Sequence, residues 1–213
     1  MITIVKKNKN LLIWGLVYLA FVYVAYDTSI VVQGLNFQEF LSGNLFNLQK
    51  YFFDVSILFI AYLYLVKKPF SSVFFVARCK TSYLLYVILY GLKVCLFYVG
   101  YTVVLFLGIP FLNGIPIQYG GSLLLDFVNL FFFLLTIYLS YIFVLLLSGK
   151  QMFGVLSAPL VNFVILMVHG LLVWTSEPLA MAIETFFLTS YASIAIVFLA
   201  IVVIVFRRKD FLL

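Results

Sequence analysis

Residues 67–82 read KKPFSSVFFVARCKTS, a cationic stretch between two apolar runs and too long for a simple turn between membrane spans. Lys67, Lys68, Arg78 and Lys80 are its four cations, and between the two pairs Phe70, Val73, Phe74 and Ala77 recur at i, i+3, i+4 and i+7. That spacing is one apolar face of a short helix and predicts a helix over 69–80. Pro69 suits its first turn, where a missing N–H would lack an intrahelical partner anyway. Two roles fit such a helix: lying on lipid headgroups with the phenylalanines down and the cations wet, or docking against a soluble partner. Periodicity does not separate them.

Working outward, the chain has 213 residues, 66% of them hydrophobic and only 9% charged, too few charges to cover a soluble globule of this size. The expected class is an all-α, polytopic integral membrane protein forming one transmembrane domain over 1–213. The net charge of +6 does not point to nucleic acid, because the cations are clustered between apolar runs rather than spread over a polar surface. Cys79 and Cys95 have no C-x-x-C or other ligand spacing and are expected to be reduced and structural.

Six spans are predicted, over about 11–32, 51–66, 83–111, 123–147, 152–174 and 186–206. The first follows a basic segment, MITIVKKNKN, and reads as uncleaved because no small-x-small pattern comes after it. Asp27 to Lys50 is polar, and 108–122, GIPFLNGIPIQYGGS, holds two prolines and four glycines and reads as a connecting loop. Thr175 to Thr185 is weakly amphipathic. Eleven cations (Lys6, Lys7, Lys9, Lys67, Lys68, Arg78, Lys80, Lys150, Arg207, Arg208, Lys209) fall on one side of this layout and Lys50 alone on the other. The positive-inside rule therefore predicts that both termini are cytoplasmic.

Ionisable residues inside spans are functional candidates by default, and here they are Asp54, Lys93, Asp126 and His169. Asp54 and Asp126 lie three residues past the starts of their spans and are expected at headgroup level, with His169 near the same edge as a neutral, hydrogen-bonded side chain. Lys93 is ten residues into its span, about 15 Å along a helix and close to the midplane. A lipid-facing lysine there costs about 2.5–3.5 kcal/mol on insertion scales, so it is expected either to turn into a bundle or subunit interface or to snorkel. The chain holds one histidine, no G-x-x-x-x-G-K-[ST] loop and no series of mid-span acids. Zinc sites of the H-E-x-x-H type, nucleotide hydrolysis through a P-loop and a proton relay are thus unsupported, and no enzyme, metal or cofactor is expected.

The six-span layout, the helix between spans two and three, and the R-x-K-x-S segment (Arg78, Lys80, Ser82) resemble the membrane subunits of type-2 ATP-binding-cassette (ABC) exporters, of the small bacterial kind. The resemblance implies a permease without its own ATPase site. Phe70, Val73, Phe74, Ala77, Arg78 and Lys80 would form the coupling helix that sits in a groove of a separate cytoplasmic ABC ATPase, where ATP is bound. It further implies pairing with a second permease copy or a different permease, re-entrant helices near Thr175–Thr185, and a place in the bacterial plasma membrane. Small permeases of this kind export, or give immunity against, hydrophobic and antimicrobial peptides. Two other readings stand beside it: a standalone membrane immunity or scaffold protein, and a vitamin-uptake specificity subunit. The last is disfavoured because Gly15, Ala20 and Ala25 in the first span lack A-x-x-x-A spacing.

Overall fold

Backbone in hydrocarbon has no water to bond, so an apolar run that crosses a bilayer must satisfy its N–H and C=O groups internally, and a helix does this. A computed structural model describes residues 2–47, 50–65, 80–120, 123–148, 151–160, 163–164, 167, 171 and 177–208, and among them every regular element is helical. In chain order these are α1 (Ile2–Tyr26), which passes into a π-helical turn (Asp27–Val32), α2 (Phe37–Asn44), a second π-helical segment (Tyr51–Val55) leading into α3 (Ser56–Leu65), α4 (Lys80–Leu112), α5 (Leu123–Ser148), α6 (Gln151–Ser157) and α7 (Glu177–Arg208). Three stretches are long and apolar enough to cross a membrane: Lys9–Val32, Ser82–Leu112 and Leu123–Ser148. Phe53–Leu65 and Tyr191–Arg207 are shorter apolar helical stretches.

The first four expected spans coincide with these helices to within a few residues. The fifth, 152–174, lies largely outside the described residues, and the sixth is contained in α7.

Three local expectations change. The connecting loop expected over 108–122 starts at 113, because α4 continues through Gly108 and Pro110 to Leu112. Pro110 removes a single ladder bond, and the helix then ends two residues later on a Schellman cap. Ile115 N–H bonds Pro110 O at 3.0 Å and Gly114 N–H bonds Phe111 O at 3.1 Å, with Gly114 at φ +73°, a conformation open to glycine at no steric cost. Residues 177–185 form no separate re-entrant helix; they are the first turns of α7. Pro178 is the second residue of that helix, where proline is tolerated, and no glycine or further proline interrupts it before Arg208.

The polar stretch 27–50, thirdly, is ordered by α2. Asn36 caps this helix, its side chain accepting from Glu39 N–H at 2.9 Å while the Glu39 carboxylate accepts from Asn36 N–H at 2.9 Å. This reciprocal pair is a capping box. Asn44, at the other end, donates to Ser29 Oγ at 2.8 Å and so ties α2 to the π-helical turn. In that turn Thr28 donates its hydroxyl to Val24 O at 2.8 Å, a side chain entering the helical ladder where the helix widens.

The chain divides into two units, Met1–Val66 with Tyr98–Leu130, and Lys67–Phe97 with Phe131–Leu213. In the first unit an aromatic core joins α1, α3 and the second half of α4. Trp14, Tyr18, Phe59, Tyr62 and Tyr98 are all buried, with ring centroids 4.8 Å apart for Trp14–Tyr62, 5.4 Å for Tyr18–Tyr98 and 5.1 Å for Phe59–Tyr98. Beside it Phe40 of α2 stacks on Phe106 at 5.6 Å.

In the second unit Tyr138 of α5 donates to Val87 O of α4 at 2.9 Å, beside Gly91. The ring of Tyr191 on α7 meets Phe133 edge-on at 5.1 Å. Cys95 is a free thiol and fully buried. Cys79 lies outside the described residues.

Candidate functional site

Phe70, Val73, Phe74, Ala77 and Arg78, five of the six residues of the anticipated coupling helix, lie outside the described residues, as does His169. Lys80 is the first residue of α4, with its side chain outside the described set.

Lys93 is described. It is exposed on α4 and takes part in no ion pair among the described residues. Leu85, Leu89, Leu96 and Phe97 surround it on the same face, each more than half exposed. No described residue of its own unit covers the Lys93 side chain.

The two acids near span ends each have a partner that sequence spacing left open. Asp54 pairs with Lys50 one turn earlier, Oδ2 to Nζ 3.0 Å. Lys50 is thereby matched one turn away, a local pairing of modest strength given its 41% exposure. Asp126, in the first turn of α5, accepts a short 2.5 Å hydrogen bond from the hydroxyl of Tyr119. Tyr119 sits in the loop after α4, and its pKa is raised, first by burial and then by the hydrogen bond and charge of Asp126, both of which favour the neutral phenol.

The same loop and the start of α2 enclose a cavity of about 510 Å³, lined by Asn36, Phe37, Gln38, Gln118, Tyr119 and Gly120 among others. Gly120 N–H donates to Gln38 Oε1 at 3.2 Å and closes one side. Three side-chain amides line the cavity without a fixed charge, and two of their oxygens are engaged, Asn36 Oδ1 by Glu39 N–H and Gln38 Oε1 by Gly120 N–H. Sequence reasoning passed over it. The N-x-x-E spacing of Asn36 and Glu39 announces the helix that forms one wall, but nothing local announces that Gln38 meets Gly120, 82 positions away.

Within the first unit the hydroxyls of the aromatic core are bonded across helices. Tyr101 donates to Gly15 O at 2.7 Å, and Trp14 Nε1–H donates to Leu58 O at 3.1 Å. Thr102 spends its only proton on Tyr98 O at 2.9 Å, so in the 2.8 Å contact between Tyr18 and Thr102 the phenol is the donor. These bonds hold α1, α3 and α4 to one another, which is a structural role. Among the described residues no group of three or more His, Cys, Asp or Glu side chains is placed to hold a metal ion.

No family model, no curated protein and no solved structure matches the chain.

Proposed function

We propose that the chain is the transmembrane permease subunit of an ATP-driven ABC exporter, with six spans and both termini on the cytoplasmic side of a bacterial cell membrane. A separate ATPase subunit binds and hydrolyses ATP, and the permease moves a hydrophobic or antimicrobial peptide outward, for export or self-immunity. The observation that carries this reading is the basic amphipathic segment 67–82, the one sizeable loop on the cation-rich side. Supporting it is the absence, throughout the sequence, of any residue set able to drive transport unaided.

The proposed mechanism is mechanical. Closure of the ATPase dimer displaces the 69–80 segment, and because Lys80 opens a continuous 33-residue helix, that displacement is delivered to one end of α4. The aromatic and aliphatic walls of the spans, with 25 Phe and 15 Tyr in the chain, suit a substrate that is itself amphipathic.

The test is Phe74→Asp against the conservative Phe74→Leu. The aspartate is expected to abolish ATPase co-assembly and export while membrane insertion persists, and the leucine to preserve all three. Undiminished assembly and export with Phe74→Asp would remove the coupling role from this segment.

A further inference from the structure

Lys93 lies eleven residues from Ser82, the start of its apolar stretch, about 16 Å along the helix axis and so near the middle of a hydrocarbon layer of about 30 Å. Lys93 is exposed and has no ion-pair partner among the described residues, and its neighbours on the exposed face, Leu85, Leu89, Leu96 and Phe97, are apolar. A lysine at that depth either reaches for the headgroups or is stabilised by a carboxylate at the same depth.

A second copy of this chain has none to offer. Its seven acids are Asp27, Glu39, Asp54, Asp126, Glu177, Glu184 and Asp210, and each falls at the end of an apolar run or outside one. Asp54 is paired with Lys50 and Asp126 with Tyr119.

We infer that the Leu85–Phe97 face of α4 docks a transmembrane helix of a different protein, one that carries an aspartate or glutamate near mid-membrane and pairs it with Lys93. The exposed leucines pack against that helix on either side of the ion pair. The inference concerns assembly within the bilayer and holds whether or not an ATPase drives the complex.

The experiment uses the purified full chain reconstituted in phosphatidylcholine vesicles, with leucine-rich transmembrane peptides of about 20 residues as probes. One peptide carries Asp at its centre, one Leu at that place, and one Asp at its end. Energy transfer between labelled chain and labelled peptide is expected to be about tenfold greater for the central-Asp peptide than for the other two. It should be retained by Lys93→Arg and lost in Lys93→Leu, a change on an exposed position that leaves the bundle intact. Equal transfer for the three peptides, or transfer to central Asp that survives Lys93→Leu, would overturn the inference and leave a lysine that reaches the headgroups by itself. So would energy transfer between two copies of the chain that disappears in Lys93→Leu, because the occupant would then be a second copy.

Discussion

The ring of Tyr138 occupies the space where Gly91 lacks a side chain: a Cβ at residue 91 would stand 2.0 Å from Tyr138 Cε1 and 2.4 Å from Cδ1. Neither atom is the free end of a flexible chain, since the Tyr138 hydroxyl is anchored to Val87 O at 2.9 Å and the residue is buried. Gly91→Ala is therefore expected to cost about 1–3 kcal/mol by overpacking, visible as a lower midpoint of thermal unfolding in detergent. Measured in a Tyr138→Ala background, itself less stable for loss of a buried ring, the cost of Gly91→Ala should largely vanish, which a general intolerance of alanine at residue 91 would not allow.

Tyr18 and Thr102 form a second interhelical link, and the proton inventory assigns its direction. Replacing either Tyr18 by Phe or Thr102 by Val should cost about 0.6–1.7 kcal/mol, the range for side-chain hydrogen bonds between membrane helices. The double variant should cost clearly less than the two single costs added, since both remove the shared Tyr18–Thr102 bond and only Thr102→Val also removes the bond to Tyr98 O. Additive losses in a double-mutant cycle would show that the 2.8 Å contact contributes no bond of its own.

Tyr119 should remain a phenol at pH values where a solvated tyrosine ionises. Its pKa is raised by burial and by Asp126, so the stability it contributes is fully present below the ordinary value of about 10 and is lost only as pH rises through the higher folded value. In the NMR spectrum of ring-labelled tyrosines, the Tyr119 signal, assigned by Tyr119→Phe, should be unshifted at pH 10. Asp126→Asn should bring its titration downward but not all the way, because burial persists. Titration of Tyr119 at the ordinary value in the parent protein would contradict the Tyr119–Asp126 contact.

Much of this fold could be read from the residues alone, and the limits are physical. Long apolar helices were legible because a bilayer admits few alternatives to them, and among the described residues three of the expected spans are long and apolar enough to cross. Pro110 and Gly108 read as loop formers because propensity is a local rule, whereas α4 loses one ladder bond at Pro110 and runs on for two residues to a glycine cap at Gly114. The resemblance implied re-entrant helices near Thr175–Thr185, yet helix propensity along 179–185 carries 177–185 into α7 without a break. Contacts such as Gly91–Tyr138 and Gln38–Gly120 had no local signature, since each depends on which helices meet. Lys93 was legible as an unusual residue; its exposure among the described residues was not.

The proposed topology makes its own demand. Single cysteines placed at Asn44 and at Gln118, in a background lacking Cys79 and Cys95, should react with a membrane-impermeant maleimide in intact cells. Cysteines at Lys9 and Lys150 should react only after permeabilisation. Reaction of all four in intact cells, or the reverse pattern, would contradict six spans with both termini inside.

The measurement that bears most directly on the permease reading is affinity purification of the tagged chain in mild detergent, with mass spectrometry of what remains bound and an ATPase assay of the eluate. The account predicts a stoichiometric ABC ATPase with measurable hydrolysis. A chain that purifies without any ATPase, from cells in which it is functional, would contradict the account and point to a standalone immunity or scaffold protein whose 67–82 segment rests on lipid.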